Sequence, residues 1–168
     1  MCYMKINIKK LTETAILPER GSAYAAGYDL FADVKEVLEI APHTTAMIPT
    51  GLAMEIPEGY FGGIFARSGL ASKESLRPAN CVGVVDTDYR GEVKVALHND
   101  GEIVREIKPG QKVAQLVVVP FLSVEFDEVA EGEKEWAGVM DNFYQDFHPL
   151  VEKTISVKTE HKVGERVL

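Results

Sequence analysis

Gly83-Val84-Val85-Asp86-Thr87-Asp88-Tyr89-Arg90-Gly91-Glu92-Val93, continued by Lys94-Val95-Ala96-Leu97, is the most informative stretch of this chain. Two β-branched residues run into a cluster of acids, a tyrosine and an arginine. A glycine closes that cluster, and a second run of strand formers begins. Apolar runs on either side of a polar, glycine-containing connection predict a β-hairpin. The connection carries two carboxylates, a phenol and a guanidinium, which is more chemistry than a turn requires. Such a hairpin can admit a flat ring between its strands and set Asp86 beside it. A solvated, charged turn is the competing reading.

Working outward, short strand-like segments recur with turn signals between them. They cover residues 5–11, 36–40, 45–48, 52–56, 62–66, 82–85, 93–97 and 113–121. Pro57-Glu58-Gly59-Tyr60 and Lys108-Pro109-Gly110-Gln111 are turn sequences with a mechanism, since proline presets one dihedral and glycine accepts a positive one. Many short strands at this spacing predict an all-β sandwich or jelly roll. A helix of a turn or two is expected over residues 72–76. The composition shifts near Ser123, where Glu125, Asp127, Glu128, Glu131, Glu133 and Glu135 accumulate, followed by Trp136, Phe143, Tyr144 and Phe147. The expected organisation is therefore a β-domain over 1–125 and an acidic, aromatic C-terminal arm over 126–168.

The formal net charge of −8 on 168 residues argues against nucleic-acid binding, which calls for a basic face. It also repels small anions at long range, so any phosphate must be met by local cations, backbone amides and a bound metal ion. No apolar run approaches the roughly 20 residues of a membrane helix. The N-terminal segment alternates like a strand and lacks the apolar block of a signal peptide. With only Cys2 and Cys81, there is no disulfide framework, and the cytoplasm is the expected compartment.

Four further segments hold candidate sites. In Ala25-Ala26-Gly27-Tyr28-Asp29-Leu30, glycine allows close backbone approach, and Asp29 either holds the hydration shell of a magnesium ion or merely starts a strand. Ala66-Arg67-Ser68-Gly69-Leu70-Ala71 combines a guanidinium, a hydroxyl and the amides ahead of a short helix, a combination that can cradle phosphate. Lys73 is read as solvated. Asn80 can read the donor and acceptor edge of a ring or simply form a turn. Gln115 stands inside an apolar run, where a buried amide needs partners, at a subunit contact or facing a ligand. The four histidines show no metal-ligand spacing with the cysteines.

Taken in order, these segments resemble the trimeric dUTP pyrophosphatases (dUTPases). Ala26-Gly27-Tyr28-Asp29-Leu30 is similar to the first of that family's five motifs, and Arg67-Ser68-Gly69 lies in the second. Gly83 to Gly91, with Asn80 ahead of it, is similar to the third, and Gly110 to Gln115 to the fourth. The resemblance covers roughly residues 5–122. It implies a distorted jelly-roll subunit of the β-clip type, assembled as a homotrimer with sites at subunit boundaries. The implied reaction is Mg²⁺-assisted hydrolysis of dUTP to dUMP and pyrophosphate. Asp86 would activate the water attacking the α-phosphorus. Asn80, Val84 and Val85 would read uracil, and Tyr89 would pack on the deoxyribose. Arg67, Ser68, Gly69, Lys94 and Gln115 would complete substrate binding, and Asp29 would organise the metal through water. The implied partners are dUTP and further copies of the chain, with neither nucleic acid nor membrane among them.

One departure stands out. The family's fifth motif, a glycine-rich C-terminal arm with an arginine for the γ-phosphate and a phenylalanine that stacks on uracil, has no counterpart here. The corresponding place holds Glu131-Gly132-Glu133-Lys134-Glu135-Trp136-Ala137-Gly138-Val139-Met140-Asp141-Asn142-Phe143. The expectation is a working site with an altered lid; that Trp136 or Phe143 stacks on the base and Lys134 or Arg166 reaches phosphate is the lesser reading, because carboxylates beside a triphosphate repel it. Two alternatives remain open at this level. One is a catalytically weakened, nucleotide-sensing interaction protein of the same fold, and the other is a dCTP deaminase.

Overall fold

Residues 4–128 are described by the computed structural model, and they form twelve strands and one short helix. The strands are β1 (Asn7–Lys10), β2 (Glu19–Arg20), β3 (Tyr28–Phe31), β4 (Leu38–Ile40), β5 (Thr45–Pro49), β6 (Leu52–Glu55) and β7 (Tyr60–Phe65). After helix α1 (Ser68–Glu74) come β8 (Leu76–Pro78), β9 (Gly83–Val85), β10 (Lys94–Asn99), β11 (Arg105–Ile107) and β12 (Lys112–Pro120). All pairings are antiparallel. The largest sheet runs β2-β3-β12-β7-β9, a second runs β5-β10-β8, and β1-β6 and β4-β11 form two-stranded ribbons. The fold is all-β, as expected. Its core gathers residues from several of these sheets, among them Leu30, Ile48, Ile64, Val95, Leu97 and Leu116. Two polar side chains are also fully buried, and both are satisfied. Asn99 donates to the carbonyls of Ile40 (3.0 Å) and Ile103 (2.8 Å), and the Thr50 hydroxyl donates to the Val93 carbonyl (2.6 Å).

The long strand β12 positions the site. It pairs with β3 on one side and β7 on the other, so Gln115 stands between Asp29 and Phe65. A register shift between Lys112 and Ala114 interrupts the alternation of this strand. Val113 and Ala114 are consecutive yet both buried, as an inserted residue requires. The same insertion brings Lys112 and Gln115, three positions apart, to the face that carries Asp29.

Three expectations change. The segment from Gly83 to Leu97 is not a hairpin, because β9 pairs with β7 whereas β10 pairs with β5 and β8. The two arms diverge into different sheets and leave a slot between them. Part of the reason is on β7, where Gly62 and Gly63 present no side chains and let β9 pack closely. A Cβ on Gly62 would stand 3.2 Å from that of Val85. The helix starts at Ser68, four residues before the expected start. It ends at Ser75, which adopts the left-handed conformation (φ 57°), so that Leu76 already belongs to β8. The short strands β2, β8 and β11 were not among the expected segments; with two or three residues each, they carry too little alternation to show in a sequence.

Among the described residues, no helix is long and apolar enough to cross a membrane. Of the expected arm, only residues 126–128 are described. Lys134, Trp136, Phe143 and Arg166 lie outside the described residues.

Candidate active site

The slot between β9 and β10 is a cleft of about 350 Å³, lined by Asn80, Gly83, Val84, Val85, Asp86 and Tyr89 on one flank. Glu92, Lys94 and Ala96 line the other, with Met47 and Ile64 completing it. A volume of that size suits a small organic ring with its substituent. β9 is the edge strand of its sheet, so alternate residues direct N–H and C=O groups away from β7 and into the slot. Val84 is 60% exposed on the rim, whereas Val85 is packed into the core, as a period of two demands. Asn80 follows β8, and its Nδ2 lies 3.0 Å from where a Cβ on Gly83 would stand. The glycine leaves room for the amide to sit against the strand.

Asp86 follows β9 at the mouth of the slot, exposed and in no ion pair among the described residues. Its carbonyl accepts from the Tyr89 amide (3.2 Å), closing a turn that swings the tyrosine back over the opening. The Tyr89 hydroxyl donates to the Glu92 carbonyl (2.9 Å), and its ring fills the space where Gly91 would otherwise carry a Cβ. The ring is thus held as a fixed wall. Lys94 is half-exposed on the opposite rim, 3.4 Å from the Glu92 carboxylate.

A second cluster forms a cationic ledge on β3, β12 and the start of α1. Asp29 Oδ1 accepts from Arg67 Nε (2.9 Å), and its Oδ2 lies 2.8 Å from Lys112 Nζ. Burial acts to raise the Asp29 pKa, but the Lys112 contact and the Arg67 charge outweigh it and hold the carboxyl below its ordinary value. The Gln115 amide donates to the Ala66 carbonyl (2.8 Å), fixing the backbone just ahead of Arg67. Gly27 is required for this arrangement, because a Cβ there would collide with Gln115 Oε1. Ser68 and Gly69 lie exposed in the first turn of α1, and Lys73 is exposed too, as expected.

The structure places the expected residues in two groups. Asp86, Asn80, Val84, Val85, Tyr89 and Lys94 share the slot, whereas Asp29, Arg67, Ser68, Gly69 and Gln115 share the ledge and none of them lines the slot. Asp29 lies within a strand and is doubly ion-paired rather than open. Gln115 has an internal partner, an outcome the sequence reading did not offer. Among the described residues, no three His, Cys, Asp or Glu side chains converge as a metal cage. A single carboxylate, rather than a cage, fits an ion held mainly by substrate oxygens and water, which is how Mg²⁺ is commonly bound. Lys112 and Glu92 escaped the sequence reading. Lys112 opens β12 and Glu92 stands two residues ahead of β10, both ordinary positions for a solvated side chain.

Comparison with known proteins gives a consistent picture. The dUTPase family model matches residues 13–141. The deoxyuridine 5′-triphosphate nucleotidohydrolase of Hydrogenobaculum sp. is 45% identical over 130 residues, covering 76% of this chain and 88% of that protein. The protein of the same name from Oryza sativa subsp. japonica is 42% identical over 126 residues, 75% of this chain and 71% of its own length. Among solved structures, a mutant of the Staphylococcus bacteriophage 80alpha dUTPase with dUpNHpp superposes with a TM-score of 0.70 at 30% identity, covering 78% of this chain and 91% of that one. A mutant dUTPase from phage phi11 of S. aureus, described as revealing the coordination of a structural Mg(II) ion, gives 0.69 at 30% identity, with 78% and 100% coverage.

Proposed function

The chain belongs to the dUTPase family, and from that membership we propose how its residues hydrolyse dUTP to dUMP and pyrophosphate. The relatives are nucleotidohydrolases, so neither the deaminase nor the non-catalytic reading is favoured. The observation that carries the assignment of parts is the slot, an edge strand with unspent backbone groups ending in an exposed carboxylate.

In this reading uracil enters between β9 and β10. The backbone groups of the Val84–Val85 edge that face away from β7, with the Asn80 amide, pair with its edge. Gly83, Ile64 and Val85 floor the slot closely enough to exclude the thymine methyl group, and cytosine presents the wrong donors. Tyr89, pinned through its hydroxyl, packs on the deoxyribose and leaves no room for a 2′-hydroxyl. Asp86 takes a proton from a water in line with the α-phosphorus. As the new P–O bond forms, the bond from the α-phosphorus to the bridging oxygen breaks and pyrophosphate leaves. Arg67, Ser68, Gly69 and Gln115 hold the phosphate chain, with Lys94 at the slot's rim, so catalysis is mostly positioning and charge stabilisation. Mg²⁺, held through water by Asp29, would offset charge on the phosphates.

The two groups serve one substrate if chains associate. β3 and β9 lie three strand spacings apart in one sheet, about 14 Å. We therefore read the protein as a homotrimer in which the slot of one protomer meets the ledge of another. Its partners in this reading are dUTP and its own copies, without nucleic acid or membrane, in the cytoplasm. Residues 126–168 are read as a C-terminal arm of acidic and aromatic composition in place of the family's glycine-rich one.

Pyrophosphate release from dUTP in the presence of magnesium, with dCTP and dTTP as controls, tests the assignment. Asp86→Asn is expected to lower kcat by about 10²–10⁴-fold, the range of a general base, while dUTP still binds. Unchanged turnover in that variant would remove Asp86 from the mechanism.

A further inference from the structure

The slot's two walls are anchored independently, and the anchor of the second wall has no part in the reaction above. β9 hangs on β7. The opposite wall, residues 92–96, to which Tyr89 is pinned through its hydroxyl, is tied instead to residues 50–52, the turn between β5 and β6. There the Thr50 hydroxyl donates to the Val93 carbonyl (2.6 Å), the Val93 amide to the Leu52 carbonyl (2.8 Å) and the Gly51 amide to Glu92 Oε1 (2.9 Å). The turn itself cannot shift easily. Gly51 has φ +66°, and the side chains of Asp33, Thr12 and Ala15 crowd the place of its missing Cβ. Its carbonyl also accepts from the Leu11 amide (2.7 Å). From this fixed point Glu92 reaches two groups that face the slot. Its carbonyl accepts the Tyr89 hydroxyl (2.9 Å), and its second carboxylate oxygen lies 3.4 Å from Lys94 Nζ.

We propose that Glu92 is a specificity-determining positioning residue, fastening the Tyr89 wall to the Thr50–Gly51 turn so that the slot keeps a width that rejects a ribose. The proposal rests on the reading of the slot as the nucleoside site. Its physical basis is that a pocket rejects one added hydroxyl only by being stiff. A wall that yields by a fraction of an ångström accommodates the extra oxygen, and discrimination by shape is modest even in a well-packed site. The Glu92 side chain's bond to a backbone amide of a locked turn supplies that stiffness, because an acceptor of the right reach on a fixed donor holds the wall in place.

The test compares kcat/KM for dUTP and for UTP in wild type, Glu92→Asp, Glu92→Gln and Thr50→Val. The aspartate variant keeps the charge but is one methylene too short to reach the Gly51 amide. The glutamine variant keeps an acceptor for that amide and loses the charge. With discrimination by a packed pocket at about a hundredfold, the dUTP/UTP ratio should fall about tenfold in Glu92→Asp, as KM for UTP drops, and stay within about twofold in Glu92→Gln. Thr50→Val, which keeps the shape and loses the bond to Val93, should lower the ratio as well. An unchanged ratio in both Glu92→Asp and Thr50→Val would overturn the proposal, even if their melting temperatures fall. Should Glu92→Asp fail to fold, the ratio in Thr50→Val decides alone. A wild-type protein with no preference for dUTP over UTP would instead overturn the reading of the slot.

Discussion

The slot is walled by backbone, valines and a pinned tyrosine, whereas the ledge is built from Asp29, Arg67, Lys112 and Gln115. The slot's walls are held by hydrogen bonds to turns and by packing on β7. The ledge is held by ion pairs that share one carboxylate. A neutral base is chosen by shape and by a few directed donors, which demands rigid surroundings and little charge. A triphosphate is held by charge, and on a chain with a net charge of −8 that charge must be concentrated locally. In the proposed site Asp29 would serve this by gathering two cations, Arg67 and Lys112, at one point. The comparison suggests that selectivity and phosphate binding fail separately when residues are changed.

The largest expected effect breaks the comparison outright. Protomers carrying Asp86→Asn and protomers carrying Arg67→Met should each be nearly inactive. When the two are mixed and reassembled, about a quarter of the sites should combine an intact slot with an intact ledge, on random association in a cyclic assembly. Pyrophosphate release from the mixture measures this. If slot and ledge of the same chain formed the site, mixing would recover nothing.

A smaller effect sharpens it from the ledge side. Gly27→Ala forces Gln115 off the Ala66 carbonyl, a local overpacking that should cost about 1–3 kcal/mol by denaturant unfolding. KM for dUTP should rise, while the preference for dUTP over dTTP stays as it was. A lost preference would mean that ledge and slot are not separable.

The smallest effect concerns acid. Asp29 is held below its ordinary pKa in the folded protein, so its stabilising contribution is complete above the unfolded value of about 3.9. That contribution is lost as pH falls through the depressed folded value. Asp29→Asn should therefore flatten the dependence of the melting temperature on pH below about pH 4 and leave its slope above pH 5 unaltered. An unchanged acid limb would show that the two ion pairs contribute nothing to stability.

Much of the site was legible because its residues are chemically conspicuous in short, ordered segments. Asp86 and Tyr89 stand out in a connection too rich for a turn, and Arg67-Ser68-Gly69 after an apolar run reads as an anion cradle. The pairing of Gly83 to Val85 was not legible. A hairpin is the default for neighbouring strands, and part of what draws β9 to β7 is the pair Gly62 and Gly63, some twenty residues earlier. Lys112 was hidden by the bulge in β12, since the ordinary period of two puts it on the face opposite Gln115. Glu92 gave no signal because its partner is the Gly51 amide, and backbone donors leave no mark on a sequence.

The amino-acid sequence by itself determined the all-β class, the family and the inventory of reacting groups. These follow from turn residues, strand formers and motifs whose meaning is local. Only the tertiary structure decided that the arms of the Gly83–Leu97 segment part into two sheets and that the candidate residues fall into a slot and a ledge. Strand partners, bulges and backbone acceptors are selected by packing between segments far apart in the chain, and no local pattern encodes that choice.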